Sequence, residues 1–271
     1  TVTQTHMVMT GIGDDSYDGT NGYRGFMQYL VAQQNGDVAG NGFEISTNGS
    51  DPSSTPHSTT VIANATMIGG GVKGSLQGPD SDTGARFREG SNYRLFNNII
   101  TGFGKSGFDV EGSQTAANAD ARLAGDTSAT ALRFEHNIVW ANADPTGGDA
   151  NFADASGDGY DQSQNKTFFE DSRFANMLVD PGLPSSAFDE GSMDSPPNVI
   201  PASMPTGYTA YDVSLLSGTN GMVPPTDGRA LEQTDYAGAV APGTALTDAW
   251  YTGWTVWAAD GSDSRPNADG E

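Results

Sequence analysis

Short apolar runs alternate with clusters of Gly, Asn, Asp and Ser along the first half of the chain. Runs of this kind, bounded by turn-forming residues, are typical of β-strands. No window of a dozen residues carries apolar positions at the helical spacing of 3.6, so the pattern predicts an all-β chain. The predicted strands are residues 26–34, 42–46, 60–69, 85–89, 93–102, 107–112 and 131–140.

Three of these runs resemble one another. IANATMIG, LFNNIITG and RFEHNIVW each combine an apolar start, a central Asn and a following apolar pair. A motif that recurs along the chain, with two or three short strands in each copy, is typical of a solenoid. The pattern predicts a right-handed parallel β-helix rather than a β-sandwich, which has no reason to repeat an Asn at one position. We expect Asn64, Asn97 and Asn137 to stack as an amide ladder.

The character of the sequence changes after Trp140. Residues 166–178 are the best helix candidate, and residues 181–225 hold eight of the fourteen prolines. A solenoid needs a cover over its last coil, because an open strand edge is an aggregation surface. We therefore predict coils over residues 1–140 that continue from further N-terminal coils, an irregular Pro-rich and aromatic cap over 141–257, and a flexible tail over 258–271.

The charge excludes some partners. The chain has 12 basic and 34 acidic residues, for a net charge of −22, and 26 of the acids are Asp. Nucleic-acid binding needs clustered Lys and Arg, so a nucleic-acid partner is not expected. No apolar run is long enough to cross a bilayer. Cations are the natural counterparts of this charge, and the absence of Cys excludes thiolate metal sites.

Four segments occur in a distinctive order: GDDSYDGTNGYRGFMQYLVAQQ, NGSDPSSTPHSTTVIANATMIG, ARFREGSNYRLFNNIITGFGKSGFDVEG and, after a Pro-rich stretch, TDYAGAV…WYTGWT. From about Thr10 to Val256 the chain thereby resembles a family of secreted β-helix repeat proteins of marine and other Gram-negative bacteria. The resemblance implies a right-handed parallel β-helix and a place outside the cell or at the outer-membrane surface, often as a lipoprotein. It implies no established activity.

Two acidic loops are candidate calcium sites, because Ca²⁺ prefers carboxylate and carbonyl oxygens. The loop DASGDGYDQSQN approximates the calcium-loop pattern, although Asn165 stands where a bidentate acid is expected. The loop GIGDDSYDG also offers an Asp pair of the kind that hydrolyses glycosides. The Gly-His-Gly and Arg-x-Lys motifs of pectin-cleaving hydrolases are absent, so turn or cation chemistry is favoured there. The candidate ligands are Asp14, Asp15, Asp18, Asp154, Ser156 and Asp158.

Two charged strands offer a candidate catalytic set. Arg86 and Arg88 share one face by the period of two, and Asp109 and Glu111 follow one strand later. A lyase that cleaves acidic polysaccharides needs a basic proton acceptor and a cation that neutralises the uronate, which this set could supply. Ion pairs between stacked strands are the alternative, and we favour them.

The aromatic cluster near the C-terminus has two interpretations. Trp250, Tyr251 and Trp254 could form a platform on which sugar rings stack. Anchors that pin the C-terminal segment onto the solenoid are the alternative, and we favour anchors.

The sequence thus favours an extracellular or cell-surface structural or binding protein, stabilised by cations, that presents a coil face to a glycan or another surface protein. A polysaccharide-degrading enzyme, either a calcium-dependent lyase or a hydrolase, is the first alternative. A surface accessory subunit of an outer-membrane transporter or filament is the second.

Overall fold

Every strand pairing in the described part of the chain is parallel. The structure is a computed structural model that describes residues 2–34, 39–70, 82–143, 148–154, 158–188, 196–216 and 231–253. Strands from successive turns of the chain lie side by side, so the fold is a parallel β-helix, as the repeats predict.

Two parallel sheets form the walls of the solenoid. The first sheet contains β1, β3, β5, β7, β8, β10, β11 and β12, and the second contains β2, β4, β6 and β9. The strands are β1 (Thr3–Thr10), β2 (Tyr17–Gly19), β3 (Phe26–Gln33), β4 (Phe43–Ile45), β5 (Val61–Ile68), β6 (Thr83–Phe87), β7 (Arg94–Phe96), β8 (Ile99–Thr101), β9 (Ser106–Val110), β10 (Arg133–Glu135), β11 (Ile138–Trp140) and β12 (Met177–Leu178).

Two α-helices interrupt the coils: α1 (Ser113–Leu123) and α2 (Gln162–Phe169). Neither has the length and apolar character needed to span a bilayer, and the same holds for every helix in the described residues. Asp161 caps α2 through a reciprocal pair of hydrogen bonds with Gln164. The sequence predicted a helix over 166–178, and the helix begins and ends earlier because its cap lies at Asp161.

Alternation along each strand fills the core. In the second sheet, Phe43, Ile45, Phe87, Phe108 and Val110 are fully buried in the interior. The side chains between them point to the opposite face, because successive strand residues alternate. The interior is therefore apolar, while the intervening positions are available for charged groups.

A column of left-handed residues turns the first sheet at one corner. His6, Tyr29, Asn64, Asn97, His136 and Ala175 all have φ between 50° and 62°. The strand register brings these residues to the same position in successive coils. Asn tolerates this conformation better than most residues, which explains the repeated Asn.

The amide ladder runs through the neighbouring position. Asn98 N donates to Asn137 Oδ1 at 2.9 Å, and Asn137 N donates to Asn176 Oδ1 at 3.0 Å. Asn137 belongs to the ladder as predicted, but its neighbours are Asn98 and Asn176, so the prediction is wrong for Asn64 and Asn97. Asn64 and Asn97 lie in the left-handed column, and their side chains point outward. In RFEHNIVW the residue of this column is His136, so Asn137 is in register with Asn98 and not with Asn97.

The C-terminal wrap, defined as residues 196–216 and 231–253, packs against the outside of the first sheet. Its apolar residues contact outward-facing strand residues such as Val31 and Phe96. Asn97 accepts a hydrogen bond from the Tyr211 N–H and donates one to the Tyr211 carbonyl. Strand pairing continues to Leu178, beyond residue 140 where the sequence interpretation ended the coils.

We predict that Asn137→Ala lowers the free energy of unfolding by about 3 kcal/mol. The exchange removes the acceptor of Asn98 N and the donor to the Leu95 carbonyl, and both groups stay buried. Denaturant unfolding measures the effect, with Asn198→Ala in the half-buried part of the wrap as the control. A loss below about 1 kcal/mol would show that the ladder contributes little.

Candidate functional site

A row of charged residues crosses the outer face of the second sheet. The register pairs Asp18 with Glu44, Glu44 with Arg86, and Arg86 with Asp109. Because parallel coils repeat at about 4.8 Å, charges at one register position form a continuous row. The C-terminal residues of β6 and β9 are followed by Arg88 and Glu111, which extend the row.

Ion pairs join neighbouring coils along this row. Arg86 Nε donates to Glu111 Oε2 at 2.8 Å, and Arg88 Nη1 donates to Glu44 Oε1 at 2.5 Å. The side chains of Arg86 and Glu111 keep 27% and 31% of their surface exposed. The arginines thus form ion pairs between coils, which is the interpretation that the sequence favoured. These pairs remain open to solvent and to a ligand.

A cleft of about 370 Å³ lies at one end of the row. It brings together Arg86, Asp109 and Glu111, three of the four residues of the predicted catalytic set. Arg88 does not line it. Lys105 and Asp82 form an ion pair within the lining. The lining residues are Asp82, Thr83, Arg86, Lys105, Ser106, Asp109, Glu111, Ala153 and Asp154.

The carboxyl group of Asp109 in the cleft has a strongly shifted pKa. Its side chain is 6% exposed, and Oδ1 has no hydrogen-bond partner. Burial and the negative charge of Glu111 raise the pKa of Asp109 to about 6, against the opposing effect of Arg86. A carboxyl group with this pKa can hold or release a proton near neutrality.

A second pair of carboxyl groups lies at the other end of the row. Burial and a hydrogen bond with Glu44 raise the pKa of Asp15 to about 7. Burial acts to raise the pKa of Glu44, but hydrogen bonds with Asp15 and Arg88 outweigh burial and lower that pKa. Asn41 stabilises the pair, because its Nδ2 donates to Asp15 Oδ1 at 2.9 Å and to Glu44 Oε2 at 3.0 Å.

The other two aspartates of the opening loop lie near this pair without joining it. Asp14 and Asp18 are exposed. Partial desolvation by neighbouring groups, followed by the negative charges of Glu44, Asp14 and Glu89, raises the pKa of Asp18. The loop is a charged turn between two strands, since β1 precedes it and β2 contains Asp18.

Calcium binding stays a prediction. Within the described ranges, no group of three or more His, Asp or Glu side chains is placed to hold a metal ion. Asp154 lines the cleft, whereas a hydrogen bond with Ser113 lowers the pKa of Asp158. Ser156 lies outside the described residues. Asn165, the twelfth loop residue, is buried and accepts from Val110 N, so it stabilises the coil.

The aromatic residues of the wrap are packed as anchors. The Tyr251 side chain is fully buried, and its hydroxyl donates to the Pro197 carbonyl at 2.6 Å. No face of this ring is left for a sugar. Trp250 Nε1 donates to the Ala239 carbonyl, and its ring packs edge-on against His6. Trp254 lies outside the described residues.

The sequence analysis missed three charged residues on the outer face of the second sheet: Glu44, Asp82 and Lys105. Glu44 is the only acid in the strand GFEIS and lies between two apolar residues that are buried. An isolated charge at the alternate position of a short strand was the available signal. Asp82 and Lys105 lie next to strands and carry no such signal.

The fold and the cleft define a parallel β-helix protein with one charged, open face. Residues 1–170 match the family model described as a pectate-lyase-like β-helix domain, and the chain belongs to this family. The expected β-helix repeat family is confirmed to this extent, and secretion and lipid attachment stay predictions. Comparisons with curated proteins and with solved structures found no match.

We predict that Asp109→Asn stabilises the protein as the pH rises from 4 to 8. The pKa of Asp109 is raised from 3.8 to about 6, so the folded state keeps a proton that the unfolded state loses. The wild type therefore loses about 2 kcal/mol relative to the variant across this interval. Denaturant unfolding of both proteins across this pH range measures the difference.

Asp171 provides a control of opposite sign. Its hydrogen bond with Arg173 lowers the pKa of Asp171 to about 2. Asp171→Asn should therefore lose stability relative to the wild type as the pH rises from about 2 to about 4, and the difference should stay constant at higher pH. A flat difference between Asp109→Asn and the wild type would show that Asp109 ionises as readily in the folded as in the unfolded chain.

Proposed function

We propose that this protein binds a polysaccharide chain in the cleft on the second sheet. The observation that carries the proposal is the convergence of Arg86, Lys105, Asp109 and Glu111 on one open cleft of a rigid sheet. The first sheet offers no such surface where the wrap covers it. Membership of the pectate-lyase-like family supports a role in polysaccharide binding or degradation.

The chemistry of the lining suits sugar hydroxyl groups. Each hydroxyl donates one hydrogen bond and accepts two, so it can bind a carboxylate and a cationic side chain at once. Glu111 and Arg86 form such a pair, with partly exposed side chains. Lys105 and Asp82 form another at the edge of the cleft. The two donor–acceptor pairs join the same two coils at opposite ends of β6 and β9, which matches a ligand whose hydroxyls recur along its length.

The charge favours a neutral polysaccharide. A chain with net charge −22 repels a polyanion, and four of the cleft residues are acidic. An acidic polysaccharide would need divalent cations to bridge the two sets of carboxylates. Calcium binding, predicted from the Asp-rich loops, would supply that bridge. We propose an extracellular or cell-surface location, since polymeric glycans are abundant there.

Cleavage of the bound chain is the second candidate, and Asp109 is the observation that favours it. A protonated Asp109 could give its proton to the glycosidic oxygen while water attacks the anomeric carbon and Glu111 takes the proton of the water. Residues two apart on a strand are separated by about 6.6 Å. This is the distance between Cα atoms, and side chains at this spacing can bring their carboxyl groups to the separation of about 6.5–9.5 Å that inverting glycosidases need.

We predict that Glu111→Ala weakens polysaccharide binding at least tenfold, because it removes one acceptor and releases Arg86 from its pair. Affinity electrophoresis against galactan, a neutral polymer, and polygalacturonate, an acidic one, with calcium or chelator, measures the effect. Glu170→Ala, an exposed acid of the same type outside the cleft lining, is the control. Equal affinity of the two variants, or no binding of either polymer by the wild type, would contradict the proposal.

If the protein is a hydrolase, cleavage should release reducing ends without unsaturated uronate ends. We then expect Asp109→Asn to lower the rate by about 10²–10⁴-fold while leaving affinity within threefold, because general acid catalysis contributes about that much. Reducing-end assays and ultraviolet absorbance separate hydrolysis from elimination. Binding without the release of reducing ends or unsaturated ends would exclude catalysis, while the proposed binding function would stand.

A further inference from the structure

Arg94 is a buried cation that has no ion-pair partner among the residues that the structure describes. It lies in β7 on the first sheet, and its side chain is 1% exposed. Its Nε and Nη2 atoms are enclosed and have no hydrogen-bond partner. No acidic side chain in the described residues lies within ion-pair distance of it. Burial, followed by the positive charge of Arg133, lowers the pKa of Arg94 to about 10.

Positive charge is in excess around Arg94. The register pairs Arg94 with Arg133 on the next coil, and Arg133 is also buried. Arg133 donates to Glu135 through Nε and Nη2, both at 2.7 Å. Arg122 donates to the same carboxylate at 2.7 Å. Two of the three buried guanidinium groups therefore share one buried carboxylate, and the guanidinium of Arg94 does not contact it.

A second acid that acts on Arg94 is bound to other groups. Asp126 interacts electrostatically with Arg94. Its carboxylate nevertheless accepts from the N–H and hydroxyl of Ser128 and from the hydroxyl of Thr130. Aromatic rings stabilise the other two arginines: Arg133 lies over Phe96 and Tyr211 at 4.9 Å and 5.2 Å from their centroids, and Arg122 lies over Phe174 at 4.7 Å.

A buried charge without a counter-charge is strongly unfavourable. The guanidinium group stays protonated, because its pKa remains near 10 even here. We propose that Arg94, with Arg133 beside it, binds a small anion between the first sheet and the C-terminal wrap. The enclosed position selects a small inorganic anion or short carboxylate, since a polymeric anion could not enter.

The anion site is coupled to the docking of the wrap. Tyr211 stacks on Phe96 at 4.4 Å between ring centroids, and Asn97 holds the backbone of Tyr211. The same tyrosine lies over Arg133. An anion that neutralises the two arginines therefore stabilises the surface on which the wrap packs. Binding to the folded state alone raises stability by mass action.

The experiment compares melting temperatures at constant ionic strength and constant sodium. We expect the wild type to melt roughly 3 °C or more higher in saturating chloride, sulfate or acetate than in gluconate, with a saturable dependence on concentration. The anion that acts at the lowest concentration identifies the ligand class. Arg94→Met keeps the volume and removes the charge, so it should abolish the dependence. Arg24→Met, an exposed arginine on another coil, should retain it.

A second measurement serves if Arg94→Met does not fold. Crystals of the wild type grown or soaked in bromide should show an anomalous peak within hydrogen-bond distance of Arg94. Identical melting of the wild type in all four salts, or the same dependence in Arg94→Met, would overturn the proposal. So would crystals without a bromide peak beside Arg94.

Discussion

The structure depends on the exact stacking of one coil on the next. The Asn98–Asn137–Asn176 ladder enforces this stacking, because the backbone and side chain of Asn98 donate to Asn137 Oδ1, and those of Asn137 donate to Asn176 Oδ1. A shift of one residue would move every interior side chain of a strand to the outside. Buried amides that must be satisfied therefore select one register, and the apolar interior supplies the driving force.

The register determines the chemistry of both outer faces. On the first sheet it aligns the left-handed residues whose side chains bind the wrap, such as Tyr29 and Asn64. On the second sheet it aligns Glu44, Arg86 and Asp109, which are far apart in sequence. The same stacking thus produces one face that is covered by the chain itself and another that is open and charged. This asymmetry is the physical reason to look for the ligand on the second sheet.

The sequence predicted the type of fold well, because the apolar runs and turn residues that mark strands are local. The predicted strand of residues 26–34 differs from β3 by one residue. The identity of the ladder was less accessible, since two consecutive Asn residues at 97 and 98 made the alignment with His136 and Asn137 ambiguous. Helix α1 was missed because it buries polar residues such as Asn118 instead of an apolar stripe.

Within the candidate site, local pattern identified Arg86, Asp109 and Glu111, but their environments could not be predicted. Whether Asp109 is protonated depends on burial by neighbouring coils and on Glu111 and Arg86 together. The ion pairs between coils depend on which residues the loops bring into register, and the loops differ in length. Contacts across coils are therefore a property of the stacked structure, whereas the residue types are a property of the sequence.

The distribution of charge gives the final constraint on function. The chain has a net charge of −22, yet Arg94, Arg122 and Arg133 are buried with a single buried carboxylate between them. The acids are consequently concentrated at the surface, where they repel polyanions. Three basic side chains also lie on the outer face of the second sheet: Arg86, Arg88 and Lys105. All three are paired with acids of that face. A ligand of this face must therefore compete for paired groups, which favours many weak hydroxyl contacts over one strong charge.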